Sequence, residues 1–411
     1  MAPTSEEKPR ESDLHVLIAG AGIVGLTLAQ GCKKHGIPFT IFERDVDRIS
    51  KPQGWALTLH WSLNSLRRTI DADLAKDLTT ATVDPTLKLD SGNFLFLNAE
   101  TGETRYKIPP TKERLRLNRL KLLNLLSKGL DIQWGKIATS FKDLPDGTVE
   151  VNFQDGSVAT GSMLIGADGN HSKMRKSLIK DETKSSLTEL PIRVLAAVRH
   201  FTYEQGLEAR ALDPLLFSGL NPTTSNYVWY SVQEVFEQED GRNPFDALVL
   251  TSWEFKDPEN DVAPSTNKLR VAYMKERAKG FTGPIRRLFE GIPDDSERIT
   301  SLTLADYPSL DWESNPKVTL AGDAAHAMTM YRGEGANHGI LDAALLIDQL
   351  IKVKSGEVDQ KRAIEVYEEE MKPRCKAAVL KSRQACLDGH NWNHITDDSP
   401  LIGGRWPPAT A

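Results

Sequence analysis

A glycine-rich turn between an apolar strand and a helix is the feature that most constrains the fold of this 411-residue chain. Residues 14–19 form a short apolar run, typical of a buried parallel strand, and Gly20, Gly22 and Gly25 follow it at the spacing G-x-G-x-x-G. Gly20 permits the tight turn, Gly22 lets a pyrophosphate approach the backbone, and Gly25 allows the helix to pack closely on the sheet. Residues 14–42 are therefore predicted to form a β-α-β unit that binds a dinucleotide.

An acidic residue at the end of the second strand narrows the choice of dinucleotide. Glu43 lies 23 residues after Gly20, directly behind the apolar run of residues 37–42. A carboxylate there can accept hydrogen bonds from ribose hydroxyls and would repel a 2′-phosphate, which favours FAD or NAD over NADP as the bound dinucleotide. Glu43 and its neighbour Arg44 are both expected to contact the cofactor.

A second glycine motif lies about 300 residues further on. Residues 318–321 predict a buried strand, and Gly322-Asp323 follows it, so Asp323 should lie at the carboxyl end of the strand, where ligands of α/β sheets bind. Its carboxylate could accept a hydrogen bond from a ribityl hydroxyl, and the helix opening behind it would present its N-terminus to the electron-rich edge of a flavin. The cofactor is thus expected to be FAD, with the flavin end held by Asp323, Gly333, Gly335, Ala336 and Asn337.

The middle of the chain has a different pattern. Residues 192–201, 226–235 and 247–255 mix aromatic, β-branched and polar residues and predict an antiparallel sheet with one face over a cavity. The fold class is predicted as α/β (α+β overall): a Rossmann-like FAD-binding domain interrupted by a β-sheet substrate domain, with C-terminal helices. The expected boundaries are a disordered N-terminus at 1–12, the FAD-binding domain at 13–80, 111–182 and 300–355, the substrate domain at 81–110 and 183–299, and a helical segment with an irregular tail at 356–411.

Several helices are predicted from the spacing of apolar residues. They cover residues 62–80, 119–130, 268–279, 284–291, 336–354 and 359–385, and Pro373 is expected to kink or interrupt the last of them. Residues 148–159 alternate apolar and polar side chains around an Asp-Gly pair and predict a hairpin.

Composition excludes some classes of protein. A net charge of −6 and a pI of about 5.9 argue against nucleic-acid binding. Three widely spaced cysteines form neither a disulfide framework nor a metal-ligand pattern, so no metal is expected and a reducing compartment, the cytoplasm, is favoured. No apolar run long enough to span a membrane is present, and the sequence leaves the oligomeric state open.

A third motif makes the pattern specific. Residues 166–169 read Gly-Ala-Asp-Gly, with Arg175 shortly behind them. Together with the two motifs above, they resemble the group A flavoprotein monooxygenases, the family of para-hydroxybenzoate and salicylate hydroxylases, and especially its fungal single-component members. The resemblance implies that Asp168 serves both FAD and NAD(P)H, and that Arg119 contacts the ribityl-pyrophosphate region of FAD.

The resemblance also implies a reaction. NADPH or NADH would reduce FAD, O2 would add to form a flavin C4a-hydroperoxide, and one oxygen atom would pass to an aromatic or polycyclic small molecule, by hydroxylation or epoxidation, in secondary metabolism. Two alternatives stay open: an FAD-dependent reductase or dehydrogenase of the same fold, and a non-redox member that cyclises or only binds its ligand. A flavin halogenase is disfavoured because its Trp-x-Trp-x-Ile-Pro signature is absent from the sequence.

The chain departs from the family beside the flavin. Where the family has two prolines, this sequence has Thr329 and Met330, so the loop lacks the fixed φ of proline. His326 is interpreted as a structural histidine. The catalytic candidates are Tyr230, His60 and Arg332, and the candidate substrate contacts are Trp61, Trp229, Tyr230 and Met330, although an aromatic stripe on a strand is also typical of a core.

Overall fold

The computed structural model describes residues 14–48, 54–87, 93–109, 113–257, 259, 261–310 and 312–404. The predicted disorder of residues 1–12 and most of the predicted irregular tail lie outside these ranges. The strands, in chain order, are β1 (Val16–Ala19), β2 (Phe39–Phe42), β3 (Leu57–Leu59), β4 (Phe94–Asn98), β5 (Thr104–Ile108), β6 (Leu115–Leu117), β7 (Ile132–Gln133), β8 (Ala138–Asp143), β9 (Val149–Phe153), β10 (Val158–Gly161), β11 (Met163–Gly166), β12 (Thr188–Phe201), β13 (Leu216–Leu220), β14 (Tyr227–Val235), β15 (Phe245–Glu254), β16 (Ile299–Asp306) and β17 (Val318–Leu320).

The helices alternate with these strands at both ends of the chain. They are α1 (Ile23–Lys34), α2 (Leu63–Thr69), α3 (Ala72–Lys76), α4 (Arg119–Leu126), α5 (Lys173–Leu178), α6 (Glu182–Ser185), α7 (Tyr203–Leu212), α8 (Asn267–Arg277), α9 (Gly283–Glu290), α10 (Asp323–His326), α11 (Gly335–Lys354) and α12 (Gln360–Asp388). Short 3-10 turns cover Asp77–Ala81, Ala278–Gly280, Met330–Arg332 and Trp392–His394.

A five-stranded parallel sheet forms the first layer, in the order β17-β11-β1-β2-β7. Its central strand β1 is at most 1% exposed, as its unbroken apolar run predicts. Gly25 brings α1 close to this strand, because a Cβ there would lie 1.9 Å from the carbonyl oxygen of Gly20. Gly20 itself has φ +110, and a Cβ on it would meet the Ala167 carbonyl oxygen at 2.3 Å. Both glycines are therefore needed for the sheet and helix to pack as they do.

A seven-stranded sheet forms the second layer, in the order β16-β12-β15-β14-β13-β4-β5, with β13 and β4 parallel and the other pairs antiparallel. Alternate residues of β12 pack on opposite faces: Leu195 and Ala197 contact the cluster that includes α8 and α9, whereas Val194 and Ala196 contact the cluster that includes the end of α12. The predicted α/β class with a central β-sheet region and C-terminal helices is confirmed. The domain boundaries stay a prediction.

Two of the predicted helices differ from those in the structure. The helix expected over 62–80 is divided into α2, α3 and a 3-10 turn, with the first break at Ile70, which is in extended conformation. The interruption expected at Pro373 is wrong, because α12 is one helix of 29 residues with the proline inside it. Proline removes one backbone hydrogen bond there, and burial of neighbouring residues such as Met371 and Cys375 offsets that loss. The hairpin predicted over 148–159 is present as β9 and β10.

The three cysteines of the chain are buried. Cys32, Cys375 and Cys386 are free thiols inside the protein. Burial raises the pKa of Cys32 to about 12, so that its thiol is protonated at neutral pH. None of the helices in the described ranges is both long enough and apolar enough to cross a membrane.

A buried charge cluster joins α11, α12 and the turn that leads into α10. The Asp342 carboxylate accepts hydrogen bonds from the Gly322 N–H at 2.9 Å and from the Arg374 guanidinium at 2.8 Å, and it lies 2.5 Å from Nε2 of His326. Ligand-type atoms of His326, Asp342 and Cys375 lie within 4.8 Å of one another. Arg374 also donates a hydrogen bond to the Cys375 sulfur at 3.1 Å. Its guanidinium is therefore a positive charge in contact with two of these three residues.

The charges in this cluster support one another. Burial disfavours the Asp342 carboxylate, but His326 and Arg374 hold its pKa well below the usual range. Burial also disfavours an imidazolium at His326, yet Cys375 and Asp342 raise its pKa well above the ordinary value. The cluster therefore contains an ion pair, and it fixes the turn from which Asp323 projects.

We predict that Asp342→Asn lowers the free energy of unfolding at pH 7 by about 3–5 kcal/mol, since it leaves the buried His326 imidazolium without its counter-charge and removes one of the two carboxylate partners of Arg374, which keeps Glu370. The contribution of Asp342 is present above the ordinary carboxyl pKa of about 4 and is lost as the pH falls toward its own lower pKa. That of His326 is present below about pH 6.5 and is lost as the pH rises through its raised pKa. Urea unfolding at several pH values should show the difference from wild type narrowing below about pH 4.

A matched control lies on the same helix. Asp348 forms an exposed pair with Arg68 at 2.8 Å, with side chains 40% and 46% exposed, so Asp348→Asn should change stability by less than about 1 kcal/mol. Equal losses in the two variants would contradict a special role for the buried cluster.

Candidate functional site

A cavity of about 330 Å³ lies between the two sheets. Its walls come from β3 and β6, from the faces of β13, β14 and β15, and from the loop that links α10 to α11. Asp323, at the carboxyl end of β17, opens into the same space. The edge of the parallel sheet and one face of the second sheet therefore enclose one volume, as a ligand between two layers would require.

The first glycine motif leaves room for a ligand at the N-terminus of α1. Gly22 is the N-cap of this helix, and a Cβ built on it would have no atom of the described residues within 4 Å. In the part of the chain that the structure describes, no side chain caps the helix there. The N–H groups of the first turn are thus open to an anion, which fits the pyrophosphate of a dinucleotide.

Glu43 supports the glycine turn directly. Its carboxylate is 5% exposed and accepts hydrogen bonds from the N–H groups of Ala21 at 2.8 Å and Asp45 at 3.2 Å. These bonds fix the turn beside Gly22, a role that sequence reasoning missed. Arg44, the next residue, is exposed. The contacts of Glu43 and Arg44 with a cofactor stay predictions.

Arg119 lies between the two predicted ends of the cofactor. It is the first residue of α4, and the side chain of its N-cap, Asn118, accepts from the N–H of Lys121. Burial lowers the pKa of Arg119, while the carboxylates of Asp323 and Glu43 act in the opposite direction. A single guanidinium within reach of both carboxylates fits a position beside the centre of an extended dinucleotide.

Asp323 is directed into the cavity by its neighbour. Gly322 has φ +61, a left-handed conformation that favours glycine, and the chain turns there from β17 into α10. Asp323 is exposed to the cavity, and the protein around it disfavours the ionised carboxylate and raises its pKa. Arg119 and Arg175 counteract that effect of burial and favour the ionised carboxylate.

The segment from Gly333 to Asn337 forms one wall of the flavin end. Gly333, Gly335 and Ala336 line the cavity, and Gly333 has φ +65 with open space where a Cβ would be. The Asn337 side chain instead bonds to the protein: its oxygen accepts from Ser62 Oγ at 2.8 Å and its nitrogen donates to the Thr58 carbonyl at 3.0 Å. Asn337 therefore ties β3 to the start of α11, and a cofactor contact of its own stays a prediction.

The Asp-Gly motif forms a helix cap. The Asp168 carboxylate accepts from the N–H groups of Lys173 at 2.7 Å and Met174 at 3.1 Å, at the start of α5. Burial raises the pKa of Asp168, and these hydrogen bonds oppose the rise. Arg175 then donates to the Ala324 carbonyl at 2.9 Å, which links this motif to the segment behind Asp323. The contacts of Asp168 with FAD and NAD(P)H stay predictions.

In the loop that lacks the two prolines, the first of the two positions still has a proline-like conformation. Thr329 has φ −67 and ψ 159, which are values that proline adopts. Its hydroxyl donates to the Ser382 carbonyl at 2.8 Å, and the Ser382 hydroxyl donates to the Thr329 carbonyl at the same distance. Hydrogen bonds to Ser382 of α12 thus stabilise the backbone conformation at Thr329 in the absence of a proline ring.

The structure separates the candidate substrate residues into two groups. His60, Trp229, Met330 and Arg332 line the cavity, whereas Tyr230 and Trp61 are not among the described residues that line it. Successive side chains of a strand point to opposite faces of the sheet. Because Trp229 lies on the cavity face, Tyr230 lies on the opposite face, in the core.

Tyr230 and Trp61 are packed against other rings. The ring of Tyr230 stacks on Phe217 at 5.0 Å, and burial raises the pKa of its hydroxyl. Trp61 contacts the rings of His60 and His338 at 5.9 and 5.0 Å. This arrangement gives Tyr230 no access to the cavity and disfavours it as a catalytic acid or base.

Several cavity residues were not identified from the sequence. Tyr227 is the first residue of the long strand β14, and the others lie on short strands, in a turn or in a loop, where periodicity gives little information: Thr58, Arg114, Arg116 and Tyr331. The Tyr331 hydroxyl lies 2.8 Å from Ser252 Oγ, which is itself 2.8 Å from Nε2 of His390, so residues beyond α12 support the cavity wall. For Arg116, the sequence offered one signal: it is a polar residue between two leucines, as in a strand with one buried face.

Known proteins share this sequence and this architecture. A protein-family model described as "FAD binding domain" matches residues 13–247 and 285–382. A probable FAD-dependent monooxygenase of Arthroderma benhamiae is 40% identical over 95% of this chain and 95% of its own length. The FAD-dependent monooxygenase dbaB of Emericella nidulans is 44% identical over 82% of this chain and 87% of its own length.

A solved structure agrees in fold. HpxO of Klebsiella pneumoniae, determined in complex with FAD and uric acid, has a TM-score of 0.73 and 19% sequence identity, and the match covers 96% of this chain and 92% of that one. The three motifs, the cavity that Asp323 lines and the extent of these matches lead to one conclusion. The chain belongs to the FAD-dependent monooxygenases with this FAD-binding domain, the group A flavoprotein family that its motifs resemble.

Proposed function

We propose that this FAD-dependent monooxygenase uses NAD(P)H and O2 to hydroxylate or epoxidise an aromatic or polycyclic small molecule in secondary metabolism. The observation that carries the proposal is the cavity itself. It joins the Asp323 carboxylate at one end to a wall of aromatic and aliphatic side chains at the other, among them Phe94, Tyr227, Trp229, Leu248 and Leu250. A planar, mainly apolar molecule would fit that wall.

The described residues fit FAD. The open N-terminus of α1 at Gly22 suits the pyrophosphate, Arg119 would contact the middle of the cofactor, and Asp323 suits the ribityl chain. Gly335 and Ala336 are the first residues of α11 and line the cavity, and the positive end of a helix dipole suits the electron-rich edge of the ring system. When bound and reduced, FAD supplies the activation of O2, which amino-acid side chains do not provide.

The side chains of the protein would position the substrate in the cavity and exclude water from it. Aromatic side chains from the second sheet hold the substrate ring plane, and the Thr329 loop closes the flavin end. Tyr331 is fixed by Ser252 and His390, and burial raises the pKa of its hydroxyl well above the ordinary value, so it donates hydrogen bonds at neutral pH and does not ionise. The similar Klebsiella protein holds uric acid, a planar ring compound, which agrees with this substrate class.

Asp323→Ala should weaken FAD binding, because it removes a charged hydrogen-bond acceptor from the flavin end. Loss of such a bond corresponds to about a tenfold to hundredfold rise in the dissociation constant. The measurement is FAD content after purification, followed by titration of the flavin-free protein. Asp348→Ala, which changes an exposed aspartate on α11, is the matched control. Stoichiometric FAD at wild-type affinity in Asp323→Ala would contradict the role proposed for this carboxylate.

Turnover in isotope-labelled O2 tests the reaction. Products from a panel of naphthols, hydroxylated quinones and indoles should contain one labelled oxygen atom, with NADPH or NADH consumed in proportion. Mass spectrometry of products and oxygen-electrode measurements give the result. Substrate-dependent NAD(P)H oxidation without O2 consumption would instead indicate a reductase. A purified protein that neither contains nor takes up FAD would favour the binding or cyclase alternative.

A further inference from the structure

Arg116 is a buried cation whose hydrogen-bond partners are neutral. It lies in the middle of β6, lines the cavity and is 8% exposed. Its guanidinium donates to the hydroxyls of Thr58 at 2.9 Å and Ser231 at 2.5 Å, while the buried Nε has no hydrogen-bond partner among the described residues. Two hydroxyls orient the guanidinium but do not neutralise it.

Two other arginines with largely buried side chains have carboxylate partners, whereas the buried Arg175 donates to backbone carbonyl groups. Arg332 donates to Glu334 at 2.6 Å, and Arg374 donates to Asp342 at 2.8 Å. For Arg116, no ion pair with a carboxylate of the described residues is found within 4.0 Å. An uncompensated charge of this kind is costly to bury, so that a cavity-facing arginine without a counter-ion indicates that the ligand supplies one.

A second arginine adds to the positive charge. Arg114 lines the same cavity, and burial together with the charge of Arg114 lowers the pKa of Arg116 to about 9, which leaves Arg116 protonated at neutral pH. Asp323 is the one carboxylate among the described residues that line the cavity, and it faces Arg119 and Arg175. The substrate end of the cavity is therefore positive, although the whole chain carries a net charge of −6.

We propose that Arg116 is the counter-ion of an oxyanion on the substrate, a phenolate, enolate or carboxylate attached to the ring system, and that it selects such molecules over neutral ones of the same shape. This inference depends on the proposed function for its ring-shaped substrate. Arg116 is a substrate-binding residue here, with Thr58 and Ser231 holding the guanidinium in place. The fork geometry of arginine suits a carboxylate or a pair of neighbouring oxygens.

Ligand binding to the oxidised holoenzyme tests the proposal without turnover. Three probes share one ring system: 2-naphthoate, 2-naphthol and the neutral 2-naphthamide. Their dissociation constants are measured from the change in flavin absorbance for wild type, Arg116→Gln and the control Arg286→Gln, which changes an arginine of α9 whose side chain is 42% exposed. The carboxylate and phenol probes distinguish the two sources of the oxyanion.

Wild type should bind at least one acidic probe more tightly than 2-naphthamide. Arg116→Gln should weaken that probe by about tenfold to hundredfold, with 2-naphthamide affinity and FAD content unchanged, and Arg286→Gln should behave as wild type. Equal weakening of acidic and neutral probes, loss of FAD from an Arg116→Gln enzyme that is folded by circular dichroism, or a wild-type enzyme without preference for either acidic probe would each overturn the proposal.

A conservative variant keeps the test decisive if Arg116→Gln does not fold. Arg116→Lys retains the positive charge and loses the fork, so it should still prefer the acidic probe over 2-naphthamide, with a smaller margin. An Arg116→Lys enzyme that contains FAD and shows no such preference would overturn the proposal. Because NAD(P)H and turnover are not involved, absence of oxygen transfer would count against the proposed function and leave the binding result valid.

Discussion

The register of the parallel sheet is the constraint on which the rest of the structure depends. Ala19, Gly166 and Leu320 are paired across β1, β11 and β17, so the three strands end at the same level. The three motifs that follow these strands therefore lie side by side, although they are separated by more than 100 residues in the chain. A shift of one residue in either pairing would move Asp168 or Asp323 away from the glycine turn and divide the site.

The features predicted correctly from the sequence are those that depend on residues close together along the chain. Short apolar runs ending in glycine identified β1, β11 and β17, and the spacing of the glycines in the first motif identified the turn before α1. The second glycine motif indicated FAD, and the family resemblance then added the reaction class. In all these cases the relevant interactions connect residues that are close together along the chain, or follow from the parallel order of strands.

The parts that could not be predicted depend on which face of an element turns inward. Trp229 and Tyr230 are adjacent aromatic residues, and only the completed sheet determines that the first faces the cavity and the second the core. The sequence around Arg116 does not show that its side chain is buried, because its partner Ser231 lies on β14, 115 residues further along the chain. The continuation of α12 through Pro373 could not be predicted from the local sequence either, because tertiary packing offsets the hydrogen bond that proline removes.

The pair of hydrogen bonds between Thr329 and Ser382 has a consequence for how this enzyme can change. A proline at this position would set the backbone angle φ by its own ring; here a proline-like angle at Thr329 is maintained by a helix more than 50 residues away. Substitutions along the C-terminal half of α12 can therefore alter the loop beside the flavin without any change in the loop sequence. The C-terminal helix, which carries none of the family motifs, thus becomes a route by which selection could adjust the shape of the reaction chamber.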